Sequence, residues 1–233
     1  NLLDDSCEYP EGELFVAPLG YPGSSNCGPG TETSPVNSIQ EAIDRVERID
    51  GLDKVSIFPG TYNENIIIES DITLTSVGGH QNTIIDGSGG AAGTMGSTVT
   101  VRPESGSAFA PNNVEIDGFT ITGGSGNSME RDTPGGPVSG RFGGGIMAFN
   151  TSPKITNNDI KGNGNASTSN GGGVIAIDSA EDWSFNDRDW EYNPELQPAT
   201  DDLDFSNNIF YGNDASYGHS VFIDGFENHS IDL

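Results

Sequence analysis

Positively charged residues are scarce in this sequence. Its 233 residues include 9 Lys and Arg against 35 Asp and Glu, which gives a formal net charge of -26 at pH 7. A surface with this excess of carboxylates repels phosphate backbones and anionic lipid headgroups. The composition therefore argues against nucleic-acid and membrane-surface partners. The negative charge suits a saline or calcium-containing medium, in which counterions screen the self-repulsion. An equally good explanation is that the charge keeps a β protein soluble.

Apolar residues are also few, and they come in short runs. Only 33% of the residues are hydrophobic, and 33 residues are Gly, which is about twice the average usage of roughly 7%. Runs such as Val174–Ile177 fall far short of the roughly 20 apolar residues that span a bilayer, so we predict no membrane insertion. A solenoid fits so small an apolar content, because each coil buries only a narrow stripe of side chains.

Cysteine occurs only twice, as Cys7 and Cys27. A disulfide between them would close a loop of about 20 residues, stabilise the fold by about 3 kcal/mol and suit an exported protein. Two free thiols are one alternative, and a two-cysteine zinc site is a weaker one because no His lies nearby in sequence. The chain begins at Asn1 rather than Met, which fits secretion to the cell surface after removal of a signal peptide, or trimming of a longer chain.

Helical periodicity occurs in one segment, residues 38–50. Ser38 and Glu41 form a capping-box pattern at its start, and Gly51 stands where a C-terminal cap belongs. We predict a short amphipathic α-helix over 38–50 that covers one end of a β region. The apolar residues that follow helical spacing are Ile39, Ala42, Ile43, Val46 and Ile49.

Short β-rich runs separated by Gly, Asn, Asp and Pro turns make up the rest of the chain. No helical pattern lies between them, which excludes βαβ units. An extended arm over residues 1–35 precedes the helix and contains one further strand pattern, Glu13–Ala17. The runs after the helix are Val55–Phe58, Asn65–Ile68, Ile72–Thr75, Thr83–Ile85, Thr98–Val101 and Val114–Ile121.

Two sequence patterns recur along the chain, and such self-similarity is typical of a solenoid. A glycine-led apolar pattern occurs at Gly143–Asn150, again 28 residues later at Gly171–Asp178, and at Gly218–Asp224. A pattern with paired asparagines occurs at Ile155–Asn163 and Phe205–Asn213, with a weaker version at Ile116–Gly124. We predict an all-β fold, a right-handed parallel β-helix whose repeats stack in register. The Asn pairs then stack at one corner, where left-handed backbone is tolerated and side-chain amides bond the next coil.

The start of the β region resembles that of pectin-lyase-like proteins. In that superfamily a capping helix leads to a first coil reading Pro-Gly-Thr-Tyr-x-Glu, which is present here as Pro59–Glu64. The resemblance covers roughly residues 36–230 and implies a β-helix domain over 36–233, usually exported and often facing polysaccharides. It implies no activity, because the same solenoid serves lyases, hydrolases, adhesins and structural surface proteins.

Catalytic residues are not predicted. A polysaccharide lyase needs a cationic side chain near carboxylates that hold Ca²⁺, and the candidate cations are Arg102, Arg141, Lys154 and Lys161. The second Arg of a pectate-lyase pattern is missing after Arg102-Pro103. The acid pairs and Gly-His-Gly pattern of polygalacturonase-like hydrolases are likewise incomplete.

An insert over residues 180–203 interrupts the repeat and holds both tryptophans. Its aromatic and acidic residues could stack on sugar rings or dock a neighbouring subunit, and the alternative is a loop that packs over one side of the solenoid. Ca²⁺ is a further candidate ligand. The predicted glycan- or partner-binding residues are Trp183, Trp190, Tyr192, Asp187 and Asp189, and the predicted metal ligands are Asp201, Asp202 and Asp204. N-glycosylation patterns occur at Asn150, Asn165 and Asn228.

The predicted function is that of an extracellular, non-catalytic structural or adhesive surface protein. The last repeat stops at Leu233 without a capping pattern, and an uncapped solenoid offers strand edges for pairing. Head-to-tail stacking of copies would then build a filament. The alternative is a secreted β-helix that binds a polysaccharide or cleaves it as a Ca²⁺-dependent lyase.

Overall fold

The computed structural model describes residues 12–25, 28–89, 96–132, 134–165, 167–177, 183–185, 203–224 and 229–231. These residues are mostly β, with parallel sheets and one α-helix, α1 (Ile39–Val46). A single 3₁₀ turn lies at Gly87–Gly89 within the described part of the chain.

Three sheets are parallel throughout. In spatial order, sheet 1 contains β1 (Glu13–Val16), β2 (Lys54–Ile57), β5 (Ile72–Ser76), β8 (Val114–Asp117), β13 (Lys154–Thr156), β18 (Leu203–Ser206) and β21 (His229–Ile231). Sheet 2 contains β3 (Gly60–Tyr62), β6 (Thr83–Asp86), β9 (Thr120–Thr122), β14 (Asp159–Lys161) and β19 (Ile209–Tyr211). Sheet 3 contains β4 (Ile66–Ile68), β7 (Val99–Val101), β12 (Ile146–Phe149), β16 (Val174–Ile177) and β20 (Val221–Asp224).

A fourth sheet, the side sheet, is mixed. Its order is β15 (Thr168–Asn170), β11 (Val138–Phe142), β10 (Asn127–Arg131) and β17 (Trp183–Phe185). From β2 onward the chain runs through sheets 1, 2 and 3 in cyclic order, and the side-sheet strands are inserted into this cycle. After the first cycle, each strand of these three parallel sheets pairs with the corresponding strand of the previous cycle.

The register of the parallel pairs confirms the alignment of the sequence repeats. Ile146 pairs with Val174, which pairs with Val221, as the glycine-led pattern predicts. Ile155 lies between Ile116 and Phe205, as the asparagine pattern predicts. The repeats therefore determine which residues stack on which.

One hydrophobic core joins the three parallel sheets. Leu74 from sheet 1, Ile85 from sheet 2 and Ile68 from sheet 3 all have no exposed surface and belong to it. Full burial of a side chain of this size stabilises by about 1.5–3 kcal/mol. The alternating residues of each strand point away from this core.

Stacked asparagines line the turns between sheets 1 and 2, as predicted. Asn157 and Asn207 have left-handed backbone, with φ of 56° each. The neighbouring Asn158 and Asn208 are buried, and the Asn158 N–H donates to the Asn208 Oδ1 at 3.0 Å. The Asn208 Nδ2 in turn donates to the Ile155 carbonyl at 2.7 Å. Each side chain thus bonds the backbone of the preceding repeat.

The helix is shorter than the predicted span 38–50. It ends at Val46 with Glu47 as its C-terminal cap, and Gly51, although its φ is +88°, lies at the end of the turn segment that follows. Ile49 nevertheless packs against the core from that turn. Its apolar side chain continued the periodic pattern, so the pattern overestimated the length of the helix.

The N-terminal cap of α1 uses a residue outside the helix. The Glu41 N–H donates to the Ser38 Oγ at 3.2 Å, but the Glu41 carboxylate accepts from the Arg45 Nε at 2.8 Å instead of returning to the cap. The Glu64 carboxylate accepts from the Ile39 N–H at 3.0 Å and from the Ser38 Oγ at 2.9 Å. The capping box is therefore incomplete, and the Glu of the Pro59–Glu64 motif takes its place.

Candidate functional site

The outer face of sheet 3 is covered by the side sheet. β10 and β11 form an antiparallel pair, and β17, from the predicted insert over 180–203, joins the outer edge of β10. All residues of β12 and β16 are buried. Of the open alternatives for the insert, its β17 segment fits the one in which the insert packs over one side of the molecule.

A second hydrophobic core fills the space between these two sheets. Met147 and Ile175 from sheet 3 and Met129 from the side sheet have no exposed surface there. Phe185 is 5% exposed, and its ring lies 4.9 Å from that of Phe149 in an edge-to-face contact. Sequence reasoning missed this core, although the signal was present: four successive apolar residues without alternation indicate a strand that is buried on both faces.

Arg102 is part of this covered region. Its guanidinium carbon lies 5.2 Å from the centre of the Phe185 ring, and its Nε bonds the Glu69 Oε1 at 2.8 Å. Only 7% of the residue is exposed. The side chain is thus held by an ion pair and a cation–π contact, and it does not face an open groove.

The other three predicted cations are also engaged. The Arg141 Nη1 donates to the Gly126 carbonyl at 3.0 Å. The Lys154 Nζ bonds Glu115 at 2.8 Å, and the Lys161 Nζ bonds Asp159 at 2.6 Å. These hydrogen bonds raise the pKa of both lysines above the usual 10.5. Both ammonium groups therefore remain protonated at neutral pH, which makes them poor general bases for a lyase.

An open polar groove of about 480 Å³ runs along the start of the strands of sheet 1. Three carboxylates contribute to it, together with one ammonium group that is already paired with Glu115. Such a lining can hydrogen-bond a polyhydroxylated ligand, but it repels an anionic one. The groove residues that matter for this chemistry are Asp53, Asp71, Thr73, Asn113, Glu115 and Lys154.

The predicted metal and aromatic residues lie mostly outside the described part of the chain. Asp204 is described: it stands beside Lys154 in the register of β13 and β18 and helps to raise the pKa of that lysine. Trp183 lies in β17, where its backbone pairs with that of Arg131. Among the described residues, no group of three or more His, Cys, Asp or Glu is arranged to hold a metal ion. Outside the described residues are Trp190, Tyr192, Asp187, Asp189, Asp201, Asp202, Cys7 and Cys27.

The two ends of the parallel sheets differ. At the N-terminal end the outer edge of β1 is already bonded, because the Ala17 N–H donates to the Val36 carbonyl at 2.9 Å and the Phe15 N–H to the Gly30 carbonyl at 2.8 Å. At the other end β19 and β20 are the last strands of sheets 2 and 3. Within the described residues, no strand pairs with their outer edges.

Apolar side chains are exposed near that C-terminal edge. Ile209 is 50% exposed and Tyr211 52% exposed in β19, and Tyr217 nearby is 70% exposed. Phe222, which continues the second core, and Val221, which continues the first, are only partly buried. The last described cycle thus leaves both cores incompletely covered.

Comparison with known proteins gives one partial relative. A stretch of 111 residues, 48% of this chain, is 32% identical to a protein from Methanothermus fervidus named "Cell surface glycoprotein". The match extends over 16% of that protein's length. No protein-family model and no solved structure matches the chain. In the described part of the chain, no helix combines the length and the apolar character that crossing a bilayer requires.

Proposed function

We propose that this chain is a non-catalytic structural module of a cell surface, folded as a right-handed parallel β-helix of the pectin-lyase-like type and associating end to end. The partial relative, a cell surface glycoprotein, supports the surface location. The cyclic order of the strands through three parallel sheets supports the β-helix. The right hand is proposed because crossovers between parallel strands are right-handed in about 98% of cases.

The observation that carries the non-catalytic role is the covered face of sheet 3. β12 and β16 are buried on both sides, and Arg102 lies under Phe185 instead of facing a groove. A wall of the solenoid that is closed by a second hydrophobic core offers no cleft to a polymer. The side sheet thickens the solenoid, as suits a module whose role is mechanical.

End-to-end association is proposed through the outer edges of β19 and β20, with which no strand of the described residues pairs. Strand edges with exposed apolar side chains pair readily with another chain. The partner is a second copy of this chain. If the N-terminal end of one copy packs on the C-terminal edge of the next, a filament results. If the C-terminal edges of two copies pack on each other, a two-fold dimer results. Because the outer edge of β1 is already bonded, the proposal places the C-terminal edge of at least one copy in each contact.

The experiment is light scattering after size-exclusion chromatography, together with negative-stain electron microscopy, at several protein concentrations in NaCl with and without CaCl₂. We expect filaments with an axial repeat of about 30–50 Å, or dimers, with salt favouring both because it screens the acidic surfaces. Monomers under every condition would contradict the proposed self-association. The proposed location at the cell surface would not be affected by that result.

A matched pair of variants tests the edge itself. Ile209→Lys places a charge on the open edge of β19, whereas Val77→Lys changes the net charge equally at a loop residue that is 55% exposed. We expect the first variant to be monomeric and the second to assemble as the wild type does. Equal assembly of the two variants would exclude the β19 edge as the contact.

The polar groove on sheet 1 favours a second candidate function, the binding of a neutral polysaccharide. The groove carboxylates repel the anionic uronates on which lyases act, but they can accept hydrogen bonds from sugar hydroxyl groups. These carboxylates belong to Asp53, Asp71 and Glu115. Titration calorimetry with neutral and acidic polysaccharides tests it, with Asp71→Ala as the groove variant and the exposed Glu104→Ala as the control. Binding of a neutral polymer that only the groove variant loses would establish this function; equal affinity of the two variants would exclude the groove.

A further inference from the structure

Asparagine two positions before Ser or Thr is the acceptor pattern for N-linked glycans. The chain carries this pattern at Asn150, Asn165 and Asn228. Asn228 lies outside the described residues, and the other two differ sharply in their access to solvent. This difference separates a usable acceptor from an unusable one.

Asn150 is enclosed by the fold. It follows β12 with a left-handed φ of 51°, is 2% exposed, and its N–H donates to the Ile177 carbonyl at 2.6 Å. The next residue, Thr151, is 1% exposed and donates its hydroxyl to the Pro111 carbonyl at 2.7 Å. A sugar on this carboxamide has no room in the folded protein.

Asn165 is presented on the surface, in the turn between β14 and β15. Residues Asn165 and Ser167 are both exposed. The Asn165 Oδ1 accepts from the Ser167 N–H at 2.8 Å, and the Asn165 carbonyl accepts from the Thr168 N–H at 2.8 Å. Within the described residues, the Asn165 Nδ2 has no hydrogen-bond partner. The turn therefore fixes the carboxamide by its oxygen and leaves its nitrogen open to a reactant.

We infer that Asn165 is an N-glycosylation site and that Asn150 is not. The reactant is an oligosaccharide carried on a lipid phosphate. The Asn165 Nδ2 forms a bond to the anomeric carbon, the bond from that carbon to the phosphate oxygen breaks, the lipid phosphate leaves with the electron pair, and a base of the transferase takes one amide proton. The inference rests on the surface location in the proposed function, because such donors act on exported proteins.

The test is glycopeptide mass spectrometry of the protein purified from cells that produce it naturally, with three variants expressed in the same host. We expect the peptide with Asn165 to carry a glycan and the peptide with Asn150 to be unmodified. The variants Asn165→Gln and Ser167→Ala should lose this glycan, the second while keeping the asparagine. Asn63→Gln, at an exposed asparagine outside any acceptor pattern, should keep it.

An unmodified Asn165, a modified Asn150, or a glycan that survives Ser167→Ala would overturn the inference. Labelling of intact cells with a membrane-impermeant biotin reagent separates this failure from that of the proposed function. A labelled protein without the glycan contradicts only the glycosylation site. An unlabelled protein without the glycan contradicts the surface location as well.

Discussion

A buried carboxamide stabilises only if both its ends are bonded, and Asn163 meets this condition without any exposed surface. Its Nδ2 donates to the Ile121 carbonyl at 2.8 Å and to the Asn213 Oδ1 at 3.2 Å, and its Oδ1 accepts from the Gly124 N–H at 3.1 Å. Asn163→Ala leaves a buried carbonyl and a buried N–H unpaired. We expect it to lower the free energy of unfolding by about 2–4 kcal/mol, measured by urea denaturation.

The variant Asn163→Asp sharpens this prediction. Asp keeps the acceptor but loses the donor and brings a carboxylate next to the Ile121 carbonyl. Burial raises the pKa of that new carboxyl in the folded state, so the protein should be more stable at pH 4 than at pH 7 relative to the wild type. The exposed Asn63→Ala should change stability by less than about 0.5 kcal/mol. An equal loss of stability in Asn63→Ala and Asn163→Ala would contradict the stabilising role of the stacked asparagines.

Glu64 is a second residue whose role depends on its contacts. Its carboxylate bonds the Ser38 hydroxyl and the first two N–H groups of α1, where the helix dipole favours a negative charge. We expect Glu64→Ala to cost about 1–2 kcal/mol in thermal unfolding followed by circular dichroism. The exposed Glu104→Ala is the control. Equal costs for Glu64→Ala and Glu104→Ala would contradict the capping role of Glu64.

At the scale of elements, the side sheet and sheet 3 are joined by the second hydrophobic core. Phe185→Ala removes a buried ring that contacts Phe149 in this core, so we expect a loss of about 3 kcal/mol and faster hydrogen exchange in β10 and β11, the strands of the side sheet that this ring helps to hold. Phe109→Ala, at a ring that is 77% exposed, should change neither. If hydrogen exchange became faster in sheet 1 to the same extent as in β10 and β11, the side sheet would not open as a separate unit.

The strands also show which features the sequence repeats predict and which they do not. The Asn pairs and the glycine-led runs predicted the register of β12 with β16 and of β13 with β18, because a stacked repeat places identical positions against each other. The predicted run Val114–Ile121 is instead two strands, β8 and β9, since Gly118, with a φ of +83°, turns the chain between them. A β-rich run does not reveal an internal corner unless the glycine conformation is known.

At the scale of the whole molecule, the net charge of -26 opposes compactness. Salt shortens the Debye length to about 3 Å at 1 M and weakens this repulsion. We expect the free energy of unfolding in urea to rise by at least about 1 kcal/mol between 0.05 and 1 M NaCl, or Tm by about 2–4 °C. The measurement should be made at a concentration at which the protein is monomeric. No change, or a fall, would contradict dominant charge repulsion.

The sequence by itself determined the mostly β character, the parallel repeats, their register and the asparagine turns, because each depends on residues that recur at fixed spacing and meet their own copies. Only the tertiary structure decided that the segments around 127–142 and 183–185 join in one side sheet, that this sheet closes sheet 3, and that Glu64 caps the helix. These contacts join residues that lie far apart in sequence and follow no repeat, so packing and unsatisfied backbone groups, not periodicity, select them.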